Sequence, residues 1–446
     1  MTTYLESHNL ISGIQHGFRK GKSCLTQLLK HYENILTNLL HQTETDSIYL
    51  DFAKAFDKVD HQILLQKIKN LGISGKLFNW LNDFLSNRQQ VVVLDGAMSF
   101  IAAVISGVPQ GTVLGPILFL IFINDIKDCV KHSVISCFAD DTRATKSISS
   151  VADSILLQED VGNLLQWAKV NNMQMHEDKF VFINFNCHSR HFYLPTLPFY
   201  NDYLKYTISE EVILEPGTEV KDLGIMFSPN LSWSTHVASI VGSAKKKAGW
   251  VLSSFRDRTK TTMLTLYKSL IRSLLEYGCP LWNGLNLTEL RSIEAIQRSF
   301  TSKINCPPHV INYWDRLVYL HLMSLQRRRE RYVVIFMWKI YYRKVSNDLN
   351  VRFVDNARFG PRAVVPPLVS SNSKAQSLFD KSFSVKGPQI WNIVPKTIKS
   401  TDNLEQFKIK LDKWLFEFPD RPPVHGYVTQ NNNSILEWSS SLVSRN

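Results

Sequence analysis

The chain is poor in the features that would place it outside a reducing compartment or inside a bilayer. Its six cysteines, Cys24, Cys129, Cys137, Cys187, Cys279 and Cys306, show no CxxC spacing, which excludes the usual zinc-finger frames and a small disulfide scaffold. They read as reduced intracellular thiols. The longest apolar run near a motif, Ile117 to Ile123, is far short of the roughly 20 residues that cross a bilayer, so no membrane partner is expected. The opening MTTYLESHNLISG lacks the basic and then apolar order of a secretory signal, and no clear targeting signal replaces it. There is no internal repeat. Acid is also in short supply: 39 Asp and Glu stand against 51 Lys and Arg, a formal charge of +12. That balance favours a polyanionic partner, nucleic acid or an anionic surface, without choosing between them.

What is present is core-forming material. With 446 residues, 44% hydrophobic and 11% aromatic, the chain is long enough for two or three globular domains. Leu25, Leu28, Leu29, Tyr32, Ile35, Leu36 and Leu39 recur at helical spacing after the basic loop GFRKGKS. SIYLDF reads as a compact strand ending in Asp51, and AKAFDKVDHQILLQKIKNLG as a helix that follows it directly and closes near Gly72. Leu77 to Leu85 marks another helix, and the apolar runs flanking Asp95 and Gly96 a hairpin. In SGVPQGTVLGPILFLIFINDI a glycine and proline loop leads into a buried helix over Ile117 to Ile126.

VISCFADDTRATK is the most pointed stretch. Two β-compatible runs flank Asp140 and Asp141, which predicts a hairpin with carboxylates at its tip. Acids in a turn are commonly solvated turn formers. Beyond it lie a helix over Val151 to Ala168, a strand over Phe180 to Phe185 with Lys179 at its start, and one short strand in EVKDLGIMFS. From about Thr235 the periodicity is helical only, with Lys245, Lys246 and Lys247 in one helix and Arg327, Arg328, Arg329 and Arg331 in another. Each basic run is either a solvated face or a phosphate contact. Residues 343–380 read as a linker, 381–418 as a helical segment, and 419–446 as a flexible tail.

An acid at the end of a buried strand is costly without a partner. A strand beside a hairpin could bring Asp51 to Asp140 and Asp141. Clustered carboxylates repel, and the usual remedy is a divalent metal with oxygen ligands; two such ions stabilise the attacking and leaving oxygens of a phosphoryl displacement.

The order YLDFAKAFD, SGVPQGTVLGPILF, FADD, a lysine at the start of a strand, then VKDLGI resembles the successive palm motifs of reverse transcriptases, most closely those of non-LTR (LINE-like) retrotransposons. GIQHGFRKGKSC is similar to the finger segment before the first acidic motif, and SFSVKGPQIWNIVPKTI with FKIKLDKWL to the C-terminal portion of such elements. The resemblance implies an α+β polymerase right-hand fold: partial fingers over 1–45, palm over 46–230, an all-helical thumb over 231–342 and a C-terminal extension. It implies an RNA-directed DNA polymerase that adds deoxynucleoside triphosphates to a DNA primer on an RNA template, with two Mg²⁺ or Mn²⁺ ions. Asp51, Asp140 and Asp141 would hold the metals. Phe52 would sit beneath the incoming sugar, or simply pack the core, and Gln110 and Gly111 would lie against the templating base and the incoming nucleotide. Lys179 would serve the pyrophosphate leaving group, Arg19 and Lys22 would supply basic cover for the triphosphate, and Lys245, Lys246, Lys247, Arg327 and Arg328 would grip nucleic acid. Neither the upstream RPI-like finger stretch nor an endonuclease domain is matched, so an N-terminally truncated copy is expected, nuclear by family habit. The alternative is a catalytically inactive remnant acting as a nucleic-acid-binding scaffold.

Overall fold

The computed structural model describes residues 1–186, 205–209, 212–367, 373–425 and 433–443. The chain falls into two compact units, residues 1–27 with 41–220, and residues 28–40 with 221–446. Residues 221–230, expected with the palm, and residues 28–40, expected with the fingers, group with the second unit.

The first unit starts with α1 (Thr2–Ser7), and the first turn of α2 (Cys24–Leu40) belongs to it. Strand β1 (Glu44–Leu50) follows. The helix expected directly behind it is delayed: Lys54 takes a left-handed conformation (φ 52°), and α3 (His61–Asn70) begins only where the Asp60 carboxylate accepts the Gln62 and Ile63 amides. An aspartate in that position caps the exposed N–H groups of a first turn and so sets where the helix starts. After α4 (Gly75–Leu85), strands β2 (Arg88–Gln90), β3 (Val93–Leu94), β4 (Ala97–Met98) and β5 (Ala102–Val104) form a hairpin, β3 against β4 and β2 against β5. It turns at Asp95 and Gly96, both at positive φ, which is the chemistry of a two-residue hairpin loop. Helix α5 (Leu114–Ile123) is buried along nearly its whole length.

The sheet that carries the acids comes next. β6 (Val134–Phe138) and β7 (Asp141–Ile148) make the expected hairpin, α6 (Val151–Val170) crosses over, and β8 (Val181–Phe185) returns. The order is β6-β7-β1-β8, antiparallel throughout, with Leu50 opposite Thr142 and Ile48 opposite both Ala144 and Phe182. β1 is central and buried on both faces. One face packs Ile48, Leu50, Ala144 and Phe182 into a core with α5 and α6. Farther along the same face, two residues before Ile48, buried Asp46 is satisfied by the Asn184 amide (2.7 Å) and the Tyr206 hydroxyl, as a buried carboxylate requires. Strands β9 (Tyr206–Thr207) and β10 (Ile213–Leu214) pair beyond it.

VKDLGIMF, expected as one strand, is two: β11 (Val220–Asp222) and β12 (Ile225–Phe227) fold back on each other. Leu223 (φ 43°) and Gly224 (φ 85°) take the left-handed turn between them. The second unit is then helical: α7 (Ser234–Ser254), α8 (Lys260–Leu266) running through a π-helical turn into α9 (Arg272–Glu276), α10 (Leu287–Thr301), α11 (Tyr313–Leu320) and α12 (Leu325–Tyr341). Trp282, Trp338, Trp391, Tyr267 and Tyr313 are fully buried.

The described residues of 343–380, expected as a linker, contain regular structure. β13 (Phe353–Val354) pairs with β14 (Arg362–Ala363), and α13 (Lys374–Asp380) precedes α14 (Phe383–Ile393). Trp391 donates to the Pro361 carbonyl (3.0 Å), and Asn392 bonds both the amide and the carbonyl of Ala363, each at 2.8 Å. α15 (Lys396–Lys399), α16 (Leu404–Leu415) and α17 (Ile435–Val443) complete the unit. The expected flexible tail is anchored at Ser434 and Ile435, which donate to Glu330; residues 426–432 and 444–446 lie outside the described residues. No described helix is long and apolar enough to cross a membrane.

Candidate active site

The β6–β7 turn has only Ala139 and Asp140 between the paired residues Phe138 and Asp141. So tight a turn forces Ala139 to a left-handed backbone (φ 56°), a conformation that costs an alanine about 1 kcal/mol or more and persists only when its surroundings hold it. The holder is Gln15. Its side-chain oxygen accepts from the Ala139 and Gly17 amides (both 2.8 Å), and its amide donates to the Ala139 carbonyl (3.1 Å). The segment 14–16 runs parallel to β6 and bonds Cys137 on both sides, through His16 N–H to its carbonyl and from its amide to the Ile14 carbonyl. Gly17 is required here, because a Cβ would stand 2.4 Å from the Ala139 nitrogen. Both residues lie inside GIQHGFRKGKSC, yet nothing local marks them, since their partner is more than a hundred residues away.

The register of β1 against β7 puts Asp51, one residue past Leu50, beside this turn. Asp140 is partly buried. Burial raises its carboxyl above the usual range, and the charge on Asp51 pushes the same way, while the amides of Asp140 and Asp141 oppose them. Asp51 is fixed through its backbone carbonyl, which accepts the His176 amide at 2.8 Å. The Lys179 ammonium lies 2.9 Å from its carboxylate. Lys179 thus stands as a counter-ion to Asp51, and both side chains are exposed enough for the pair to contribute no more than about 1 kcal/mol. Asp141 is exposed at the first position of β7.

Among the described residues no three His, Cys, Asp or Glu side chains form a ready metal cluster. The structure gathers two carboxylates, Asp51 and Asp140, close enough to raise the proton affinity of Asp140. That donor set, hard oxygens with surplus negative charge, fits a divalent cation of the Mg²⁺ type.

The remaining expected site residues divide. Phe52 is only 4% exposed and packs edge-on against Trp167. The SGVPQG loop is pinned to the turn behind Asp51: the Gly107 and Val108 amides donate to the Val59 and Phe56 carbonyls, and exposed Gln110 donates to Asp57 at 2.9 Å. Gly107 (φ 89°) has no room for a side chain, since a Cβ would meet the Asp57 backbone at 2.8 Å. Gly111 is exposed, with open space where a side chain would be.

Most of the expected cationic residues are engaged within the fold. Arg19 is not free to cover a triphosphate: it holds Glu6 through two nitrogens (2.9 and 2.6 Å) and donates to the Ser12 carbonyl at 2.7 Å. Lys22 bends back to the Gly13 carbonyl. Arg327 and Arg328 do not present a nucleic-acid face. Arg327 has no exposed surface and donates to the Leu415 and Pro419 carbonyls (both 3.0 Å), and Arg328 is forked onto Glu276. The arginine run is a clamp inside the second unit, with Arg331 likewise on Asp412. Lys245, Lys246 and Lys247, by contrast, are all exposed on α7, with Lys247 over the face of exposed Trp250 (5.3 Å).

Residues 1–227 match the family described as reverse transcriptase (RNA-dependent DNA polymerase). The chain belongs to the reverse transcriptase family. The family span of this reverse transcriptase contains the acidic turn, Asp51, the SGVPQG loop and Lys179, but neither basic run of the second unit. Over 307 residues the chain is 29% identical to the probable RNA-directed DNA polymerase from transposon X-element of Drosophila melanogaster, which covers 67% of this chain and 32% of that protein. It is 28% identical over 309 residues to the RNA-directed DNA polymerase from mobile element jockey of Drosophila funebris, with the same two coverages. The chain thus spans about a third of the length of these relatives. Among solved structures, apo telomerase from Candida tropicalis aligns with 78% of this chain and 57% of its own, at 9% identity and a TM-score of 0.41. Reverse transcriptases use divalent metal ions.

Proposed function

We propose that this chain is the polymerase portion of a non-LTR retrotransposon reverse transcriptase: a right-hand polymerase that extends a DNA primer 3′-hydroxyl with deoxynucleotides on an RNA template. The observation that carries this reading is the β1–β7–β6 register, which sets Asp51 beside the Gln15-clamped turn bearing Asp140. Asp51 and Asp140, with Asp141 adjoining, are the residues that would hold two Mg²⁺ ions. Bound there, the metal supplies charge neutralisation for the attacking and leaving oxygens. The chain's own contribution is positioning, which accounts for most of the catalysis in phosphoryl transfer. The Gln15 clamp holds the backbone of the turn that carries Asp140, and the His176 amide and Lys179 bond Asp51. Lys179 is also the cation best placed to offset charge on a departing pyrophosphate, and Gln110 and Gly111 present an open, anchored loop to the base pair being formed. Lys245 to Lys247 with Trp250 offer the cation and stacking surface that a single strand or duplex backbone uses.

The test is Mg²⁺-dependent extension of a DNA primer on an RNA template by the full chain, with Asp140→Asn as control. Extension that vanishes in the variant, by about 10³-fold or more, is the expected result. Extension that survives removes the metal assignment. Salt-sensitive RNA binding with no extension by the parent assigns the scaffold role instead.

A further inference from the structure

The second unit contains a cavity of about 250 Å³ that the polymerase chemistry does not use. Its lining comes from four separate parts of the chain: Asn283, Gly284 and Leu290 near the start of α10, Arg329 and Glu330 on α12, Lys381 and Lys386 around the start of α14, and Ser434 before α17. Arg329 decides its character. The residue is 3% exposed, its Nε has no hydrogen-bond partner, and its guanidinium rests over the Trp282 ring at 5.5 Å. A cation stacked on an indole face keeps its edge available for hydrogen bonding. Glu330, Glu294 and Glu289 attract this one without a direct ion pair, and burial of a guanidinium with no hydrogen-bonded anion is costly.

The one acid in the lining does not satisfy it. Glu330 accepts from the Ser434 hydroxyl and the Ile435 amide, and its nearest arginine contact is Arg327, at 4.0 Å. Lys386 is held at 3.1 Å by Gln389, a neutral partner, and Lys381 is exposed beside Gly284. The lining thus carries three cations against one carboxylate that is engaged elsewhere. It is concave, has apolar walls at Leu285, Leu290 and Ile390, and its deepest charged group is a planar fork of donors suited to oxyanions.

We propose that this cavity is a phosphate-binding site, in which Arg329 contacts the oxyanion from within and Lys381 and Lys386 close over it. This inference does not rest on the polymerase reading, since every lining residue lies beyond the family-matched span. It also gives a role to SFSVKGPQIW, a segment with no part in the acidic site. The phosphate could belong to a nucleic-acid backbone or to a small free phosphate, and the cavity recognises the group common to both.

The test is titration of the full chain with inorganic phosphate against sodium chloride of equal ionic strength, followed by calorimetry and thermal denaturation. Saturable heat with a phosphate-specific rise in Tm is expected. Heat that tracks ionic strength without saturating overturns the site. The double variant Lys381→Gln/Lys386→Gln, both at the cavity mouth, should fold and bind phosphate about tenfold more weakly or worse, and unchanged affinity in it also overturns the proposal. Arg329→Met should abolish saturable binding; should it fail to fold, the mouth variant decides alone. A short single-stranded RNA without a terminal phosphate is then added to the phosphate complex. Displacement assigns a backbone phosphate and retention a small free phosphate, and either result supports the site.

Discussion

Ala139 and Gly17 show how much of the acidic site depends on one long-range clamp. Ala139 holds a left-handed turn because Gln15 bonds its amide and its carbonyl, and Gly17 lets the two backbones meet. Gly17→Ala would drive a Cβ into the Ala139 nitrogen. The expected outcome is a loss of about 1–3 kcal/mol in stability, read as a shift of the urea midpoint at constant slope, together with slower primer extension. Lys179 should behave differently. Its pair with Asp51 is half-exposed, so Lys179→Gln should move the midpoint by less than about 1 kcal/mol. A fall in extension rate in that variant then reports on chemistry rather than on folding.

The helices of the second unit are held together by buried charge. Arg327 on α12 binds two carbonyls near the end of α16. Arg327→Met should leave those acceptors unsatisfied at a cost of about 2–5 kcal/mol, while RNA affinity of the folded fraction stays at the parental value; weakened binding by a fully folded variant would restore it as a nucleic-acid contact. Glu294 on α10 accepts from Tyr313, Gln297 and the Leu325 amide, so it ties α10 to α11 and α12. Its carboxyl is pushed up to about 7 by burial, against 4.5 ordinarily, despite those donors. The folded state holds this proton more tightly than the unfolded chain does. Its contribution is therefore full below pH 4.5 and is lost as pH rises through about 7. Denaturant midpoints should fall across that window by an amount on the order of 3 kcal/mol from this group, and Glu294→Gln, neutral throughout, should flatten the slope. Glu330 is displaced to about 7 by the same cause, so part of the pH dependence should persist in that variant.

At the scale of the whole molecule, the excess of 51 basic over 39 acidic residues favours a polyanionic partner without saying which cations would meet it. Three of the four arginines of the 327–331 run are paired or wholly buried, whereas Lys245, Lys246 and Lys247 are exposed. Replacing the three lysines with alanine should weaken RNA binding at low salt. It should also flatten the dependence of log affinity on log salt by about 0.7 to 1 per lysine that meets a phosphate, measured by filter binding across a salt series. An unchanged slope would place the phosphate contacts elsewhere.

The sequence by itself determined the local elements and their order, because periodicity, capping residues and turn chemistry act within a few residues. The FADD hairpin, the helix behind SGVPQG, the helical second half and the family resemblance were all legible in this way. Short-range signals started α3 directly behind β1, whereas Asp60, nine residues past Asp51, caps it, and they merged β11 with β12 across Leu223 and Gly224. Only the tertiary structure decided that Gln15 holds the acidic turn, that Asp140 feels Asp51, and that Lys179 pairs with it. It also decided that Arg19, Arg327 and Arg328 are structural clamps. The physical reason is the same in each case: a charged side chain reads alike in sequence whether it meets solvent, a phosphate or a buried carboxylate, and its partner is set by strand register and helix packing between residues far apart along the chain.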